Sequence, residues 1–130
     1  MTLSVRYIVL DIDEAIAFYR DRLGFEVEMQ PGPGFAALSK DRCRLLLNEP
    51  GAGGAGTAGG EPQPGGWNRF QIEVDDLDEV EDSLRSHGVP FRGERVSGRG
   101  GDQLLVEDPS GNLVELFQPG TARREAPPST

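Results

Sequence analysis

The stretch DIDEAIAFYRDRLGF, residues 11–25, decides the fold, because it holds a whole helix with the signals for both of its ends. Asp11 is suited to cap the helix, since its carboxylate can accept a hydrogen bond from an amide of the first turn. Apolar residues recur at helical spacing between Ala15 and Leu23, and Gly24 stands where a helix ends. The stretch therefore predicts an amphipathic helix between Asp11 and Gly24.

Strand-like segments lie on both sides of this helix. They are rich in β-branched and aromatic residues, which favour strands, and the Pro-Gly run at residues 31–34 predicts a turn between two of them. The predicted strands are residues 3–10, 25–29, 35–39 and 44–48. Residues 1–50 therefore read as one β-α-β-β-β module.

The second half of the chain repeats this plan. Residues 67–74 alternate as a strand does, a helix is predicted from Asp76 to Gly88, and residues 108–112 form a turn. Further strands are predicted at Phe91, 103–106 and 113–117. DIDEA at residue 11 matches DLDEV at residue 76, an offset of 65 that also aligns the preceding strands. Two unrelated units could share capping residues by chance, but the strand match favours a duplication.

The two modules predict an α+β fold. We expect βαβββ modules in tandem to form a curved mixed sheet, with a concave ligand-binding face and the helices on the outside. The predicted domain spans residues 1–118, with module one at 1–50, a glycine-rich linker at 51–66 and module two at 67–118. Residues 119–130 are predicted to be a flexible tail. The sequence leaves open whether 51–66 is only a linker or a flap that closes over a ligand.

Composition excludes several classes of protein. The chain has 130 residues and a net charge of -9, which argues against nucleic-acid binding because that requires a basic surface. Its single cysteine, Cys43, cannot form an internal disulfide. The N-terminal residues do not read as a signal peptide, and no segment is apolar for long enough to cross a membrane. We expect a cytoplasmic protein without membrane or nucleic-acid partners.

Three motifs carry a family resemblance over residues 3–118. They are the run Ala17-Phe18-Tyr19-Arg20-Asp21 with Leu23-Gly24-Phe25, the run VDDLD at 74–78, and the turn DPSGN at 108–112 followed by Glu115-Leu116. Together these motifs resemble those of the vicinal oxygen chelate superfamily. This group includes glyoxalases, bleomycin resistance proteins and extradiol dioxygenases. The resemblance implies the fold but not the activity, because this fold supports both enzymes and drug binders.

The resemblance also implies where a metal would bind in the enzymes of this family. Their ligands are usually His on the first strand, His or Gln on the fifth, and Glu on the others. The matching positions here are Ser4, Leu46, Arg69 and Glu115. Only Glu115 is a good ligand, and a guanidinium has no lone pair to donate. We therefore predict no metal and no other cofactor, and expect Arg69 to take the place of the metal and to pair with Glu115.

A ligand-binding face is predicted from the strand parity of these positions. Trp67 and Phe117 would form aromatic walls, although Trp67 could instead pack against the glycine-rich segment. The predicted ligand-binding residues are Trp67, Arg69, Glu115, Phe117, Leu46, Asn48, Arg6 and Ser4. No catalytic residue is assigned.

By resemblance, the leading hypothesis is a homodimer that sequesters an aromatic natural product, such as a bleomycin-, mitomycin- or enediyne-type antibiotic, without catalysis. The alternative is a glyoxalase-like lyase or isomerase, either metal-dependent or using Glu115 as a base. A small-molecule sensor or carrier is a third possibility. The identity of the ligand and the choice between a domain-swapped and a side-by-side dimer stay open.

Overall fold

The computed structural model describes residues 3–52 and 59–120 in two compact units. The first unit comprises Met1–Asn68 together with Asp108–Asn112, and the second comprises Arg69–Glu107 and Leu113–Thr130. Residues 53–58 of the predicted linker and residues 121–130 of the predicted tail lie outside the described part of the chain. The start of that tail is ordered, because Pro119 ends the last strand.

The first unit contains one four-stranded mixed sheet. In it β1 runs parallel to β4, β4 and β3 are antiparallel, and β3 pairs with β2, which gives the order β1-β4-β3-β2. A helix packs on β3 and β4 over a core that includes the fully buried Val9, Tyr19 and Leu45. The elements are β1 Ser4–Ile8, α1 Ile12–Ala17, a π-helical turn Phe18–Arg22, β2 Glu26–Gly32, β3 Phe35–Lys40 and β4 Cys43–Asn48.

The second unit repeats this topology. Its sheet has the order β5-β8-β7-β6, with β5 parallel to β8 and the other pairs antiparallel. Its helix packs on β8 and buries Leu77 and Leu84. The elements are β5 Arg69–Glu73, α2 Leu77–Ser86, β6 Val96–Gly98, β7 Gly101–Glu107 and β8 Leu113–Pro119. The predicted α+β class and the tandem βαβββ modules are therefore confirmed.

The helix starts show the repeat in atomic detail. Asp11 accepts a hydrogen bond from the amide of Glu14 at 3.0 Å, and Asp76 accepts one from the amide of Glu79 at 3.1 Å. Both caps have a φ of -136°, so the two helices begin in the same backbone conformation. The N-cap predicted at Asp11 is confirmed, and the second helix starts after Asp76 as predicted.

A second contact at each helix start was not predicted. The amide of Ile12 donates to Glu49 Oε2 at 2.9 Å, and the amide of Leu77 donates to Gln118 Oε1 at 2.7 Å. Each acceptor comes from the end of the fourth strand of its own module. These two bonds satisfy first-turn amides that would otherwise lack a partner, and their equivalence supports the duplication.

A buried polar cluster surrounds Asp108 in the first unit. Asp108 is only 2% exposed, and its carboxylate accepts hydrogen bonds from the hydroxyl of Tyr19 at 2.8 Å and from the side-chain amide of Asn112 at 3.0 Å. The backbone amides of Ser110 and Asn112 donate to its other oxygen at 2.9 and 2.8 Å. Four donors therefore satisfy one buried carboxylate, as burial of a charge requires. The DPSGN turn was predicted, but this cluster was not.

Two details of the first unit differ from the prediction. The helix predicted between Asp11 and Gly24 is α-helical only to Ala17 and continues to Arg22 as a π-helical turn that buries the adjacent Phe18 and Tyr19. The rings of these two residues meet edge to face at 5.0 Å. Pro31, predicted to lie in a turn, belongs to β2. A proline is tolerated there because β2 is an edge strand and its outer side needs no amide donor.

Two strand predictions in the second unit were also wrong. The predicted strand at Phe91 is only an isolated bridge to Val106, and the fourth strand of the sheet is Val96–Gly98 instead. A three-residue strand that ends in Gly98 gives too short a pattern to be read from the sequence. The strand predicted to begin at Trp67 begins at Arg69, because its partner β8 begins at Leu113 and pairing starts at that level.

Candidate functional site

The candidate site is a cluster of three polar side chains on one face of the sheet in the second unit. In the parallel pair β5–β8, Arg69 lies opposite Leu113 and Gln71 lies opposite Glu115. Because side chains alternate along a strand, this register places Arg69, Gln71 and Glu115 on the same face. The other face carries Phe70, Ile72, Val114 and Leu116.

Glu115 is the centre of this cluster. It is 8% exposed, and each of its carboxylate oxygens has its own donor: Arg69 Nε lies 3.0 Å from Oε1, and Gln71 Nε2 lies 2.6 Å from Oε2. The ion pair predicted between Arg69 and Glu115 is therefore present. It offsets the cost of removing the Glu115 carboxylate from water, since a buried charge is tolerated when it is paired and hydrogen-bonded.

Gln71 is a site residue that the sequence reasoning did not select. Its position two residues after Arg69 on an alternating strand was the signal that could have identified it. The contact to Glu115 depends on the strand register, and that register becomes known only once β5 and β8 are paired. Glutamine also pairs with many kinds of group, so its residue type alone does not indicate a role.

These residues do not fit a metal ion. Arg69 brings a positive charge to within 3.0 Å of Glu115, the only good donor among the four family positions. Both oxygens of Glu115 already accept hydrogen bonds. In the part of the chain that the structure describes, no three His, Cys, Asp or Glu side chains are grouped so as to hold a metal. The donor chemistry of the cluster suits hydrogen bonding instead.

The predicted aromatic residues have different environments. Phe117 lies on β8 with the parity of Glu115 and is buried, at 8% exposed. Trp67 precedes β5 and is 67% exposed. The expectation that Trp67 continues the face of β5 was wrong, because the strand does not extend that far and Gly66, with a φ of 92°, precedes it in a turn-like conformation. A role for either ring in ligand binding stays a prediction.

The predicted residues of the first unit lie on one face of its own sheet. Arg6 lies opposite Leu46, Ser4 opposite Arg44, and Ile8 opposite Asn48 in the parallel pair β1–β4. Arg6 donates to Asn48 Oδ1 at 2.7 Å.

Asn48 is fully buried, and its amide also donates to the carbonyls of Glu49 at 3.1 Å and Ala52 at 3.0 Å. Its contacts therefore hold the start of the glycine-rich segment and orient the exposed Arg6. The expectation that the predicted residues of both units line one concave face stays a prediction.

The family model of the Glyoxalase/Bleomycin resistance protein/Dioxygenase superfamily matches residues 3–116. The chain therefore belongs to this superfamily, as the three sequence motifs indicated. A bleomycin resistance protein from Geobacillus stearothermophilus is 29% identical over 118 residues, which cover 83% of this chain and 89% of the relative.

Solved structures agree with this assignment. TnmS3, an antibiotic binding protein from Streptomyces sp. CB03234, matches with a TM-score of 0.72 and 26% identity, over 92% of this chain and 96% of the other. Lactoylglutathione lyase from Agrobacterium tumefaciens has the same TM-score of 0.72 at 24% identity, over 91% of this chain and 92% of the other. At that identity the lyase shows the shared fold and nothing about activity.

Within the described residues, no helix is long and apolar enough to cross a bilayer.

Proposed function

We propose that the protein is a metal-independent binder that sequesters an aromatic natural product of the antibiotic type. One observation carries the proposal: Arg69, at the position that the family resemblance assigns to a metal ligand, is paired with Glu115 at 3.0 Å. A guanidinium there offers directed N–H donors where a metal would offer a Lewis acid. The names of the bleomycin resistance relatives and of TnmS3 support a binding role of this kind.

The proposed site combines polar and aromatic groups. Arg69, Gln71 and Glu115 supply the polar floor, and Phe117 on the same strand as Glu115 supplies a ring on which a flat ligand can stack. Trp67, which precedes β5, stays a predicted second ring. Leu46, Asn48, Arg6 and Ser4 stay predicted ligand-binding residues of the first unit's own sheet. Pockets for small molecules are commonly apolar with a few placed polar groups, and this set has that composition.

A lyase or isomerase that uses Glu115 as a base is the alternative. The carboxylate is present, but each oxygen already accepts a hydrogen bond, at 3.0 Å from Arg69 and at 2.6 Å from Gln71. A substrate would have to displace Arg69 or Gln71 from Glu115 before the carboxylate could accept its proton. Binding is therefore the better supported function.

Bleomycin is the first probe for the proposal, because relatives carry its name. Isothermal titration should show saturable binding, and Arg69→Met should weaken it about tenfold or more, since a hydrogen bond to a charged group contributes about 1.5–3 kcal/mol. Asp82→Asn, an exposed acid on α2, is the matched control and should bind as the wild type does. Loss of the compound over time, measured by mass spectrometry, would indicate turnover and favour the enzyme.

Trp67 supplies an independent readout, since it is the only tryptophan and is largely exposed. Its fluorescence should change on titration, and Trp67→Ala should lose about tenfold in affinity while keeping its thermal stability. Unchanged fluorescence with full binding would remove Trp67 from the site without affecting the role of Arg69.

We further propose that the protein is a homodimer in the cytoplasm. An exposed thiol such as Cys43 stays reduced in that compartment. Edge strands support self-association: Met29 on β2 is 47% exposed, and Val96 on β6 is 54% exposed. Sedimentation at micromolar concentration should give the mass of a dimer. Full binding by a monomer would contradict this part of the proposal.

Elemental analysis after dialysis tests metal independence. We expect well below one equivalent of zinc, nickel, iron or manganese, with bleomycin binding unchanged by a chelator. A stoichiometric metal that is lost in Glu115→Gln would overturn it.

A further inference from the structure

The side-chain amide of Gln71 has only one orientation compatible with its neighbour. An ionised carboxylate accepts hydrogen bonds and cannot donate them, so Gln71 must direct its NH₂ group toward Glu115 Oε2, 2.6 Å away. The carbonyl oxygen of the same amide group then does not face Glu115. Gln71 is exposed, and this oxygen has no partner among the described residues. The cluster therefore presents an acceptor as well as donors.

Arg69 supplies donors beside that acceptor. Its Nε contacts Glu115, and its side chain keeps 30% of its surface exposed. Arg69 and Gln71 are two residues apart on the same face of β5 and reach one carboxylate, so their polar ends converge. A partly exposed arginine side chain and an exposed glutamine thus converge on the same carboxylate.

The charge of the cluster limits what it can bind. The positive Arg69 and the negative Glu115 compensate each other at 3.0 Å. An anionic oxygen of a ligand at this site would lie near the negative carboxylate of Glu115 and the carbonyl oxygen of Gln71. Both groups would repel it. The cluster is therefore poorly suited to a free carboxylate or a phosphate.

We propose that Arg69 and Gln71 together recognise a neutral edge of the ligand, in which a carbonyl oxygen stands next to an N–H or O–H donor. A lactam or a hydroxy-carbonyl group on an aromatic ring has this pattern. The ligand oxygen accepts from Arg69, and the neighbouring donor bonds the carbonyl oxygen of Gln71. This assignment rests on the proposed binding function, and it makes Gln71 a residue that determines specificity.

Two matched probes test the assignment. 2-Quinolone carries an N–H beside its carbonyl, and N-methyl-2-quinolone has the same ring and carbonyl without the donor. Titrations followed by ¹H–¹⁵N NMR of the wild type should show about three- to tenfold tighter binding of 2-quinolone, the difference expected for one neutral hydrogen bond. Quinoline-2-carboxylate, which is anionic, should bind more weakly than 2-quinolone.

Variants of Gln71 assign the effect to its amide. Gln71→Met keeps the length of the side chain but removes the acceptor, so the two quinolones should bind it with equal affinity. Asp82→Asn should keep the wild-type preference. The urea midpoint of Gln71→Met shows whether that variant is folded, and the comparison of probes on the wild type needs no variant at all.

The outcomes separate this inference from the proposed function. If the wild type binds bleomycin but binds both quinolones equally, or neither of them, the recognition of a lactam edge is wrong and the sequestering role stands. The same holds if the carboxylate binds best, or if Gln71→Met keeps the preference for 2-quinolone. If bleomycin and both quinolones all fail to bind, both proposals fall.

Discussion

Replacing Asp108 by alanine tests the reasoning about buried polar groups at its most demanding position. Asp108 is 2% exposed and receives four hydrogen bonds of 2.8–3.0 Å. Alanine would leave the hydroxyl of Tyr19 and the backbone amide of Asn112 without this acceptor, whereas the side-chain amide of Asn112 would keep its hydrogen bond to the carbonyl of Ile8 at 2.7 Å. Tyr19 is fully buried and Asn112 is 4% exposed, so water replaces the lost contacts poorly.

The size of the effect follows from these two donors. A buried donor that loses its acceptor costs about 1–3 kcal/mol. Two of them sum to roughly 2–6 kcal/mol, which is reduced because the carboxylate itself no longer has to be desolvated. We expect Asp108→Ala to lose about 2–4 kcal/mol, a large part of the roughly 5–15 kcal/mol typical of a domain. Asp108→Asn should lose less, since it retains one acceptor oxygen.

Urea unfolding followed by circular dichroism measures this loss. Asp82→Ala, at an exposed position on α2, is the control and should stay within about 0.5 kcal/mol of the wild type. A loss below about 1 kcal/mol in Asp108→Ala would refute the reasoning, because it would mean that the donors find other partners.

Two further predictions concern pH and backbone geometry. Burial, and secondarily the charge of Asp108, raise the pKa of Tyr19 well above 10.0. The contribution of Tyr19 to folding stability should therefore be constant below about pH 10.0 and fall above it by up to about 1.4 kcal/mol per pH unit, because only the unfolded chain ionises this tyrosine there. Tyr19→Phe should remove this part of the decline, and equal alkaline slopes in urea titrations of both proteins would contradict it. At Gly101, φ is 144° and an added Cβ would lie 2.0 Å from the carbonyl oxygen of Gln118, so Gly101→Ala should lose about 2–4 kcal/mol by urea unfolding. Gly98→Ala, where the nearest atom is 3.9 Å away, is the control, and similar losses in both variants would disprove the steric argument.

Much of the fold could be predicted because its signals are local. The N-caps Asp11 and Asp76 act on amides three residues away, and Gly24 and Gly88 have the positive φ that helix ends require. The DPSGN turn is likewise contained within five residues. The duplication was visible since such local patterns recur at a constant offset.

The candidate site was only partly predictable. Strand parity placed Arg69 and Glu115 on one face, and the structure pairs them. Gln71 was missed and Trp67 was placed wrongly on β5, for the same reason: each depends on where β5 starts pairing with β8. Pairing between strands that are far apart in the chain is not encoded in the residues of one strand.

The sequence by itself determined the α+β class, the repeated βαβββ plan, the helix caps and the unfavourable chemistry of the metal positions, because each of these depends on residue types at short or constant spacing. Only the tertiary structure decided which side chains meet. Its hydrogen bonds join residues up to 89 positions apart. They are the bonds to Asp108, those from the helix starts to Glu49 and Gln118, and those from Arg69 and Gln71 to Glu115. Such contacts depend on register and packing, which are properties of the folded chain as a whole.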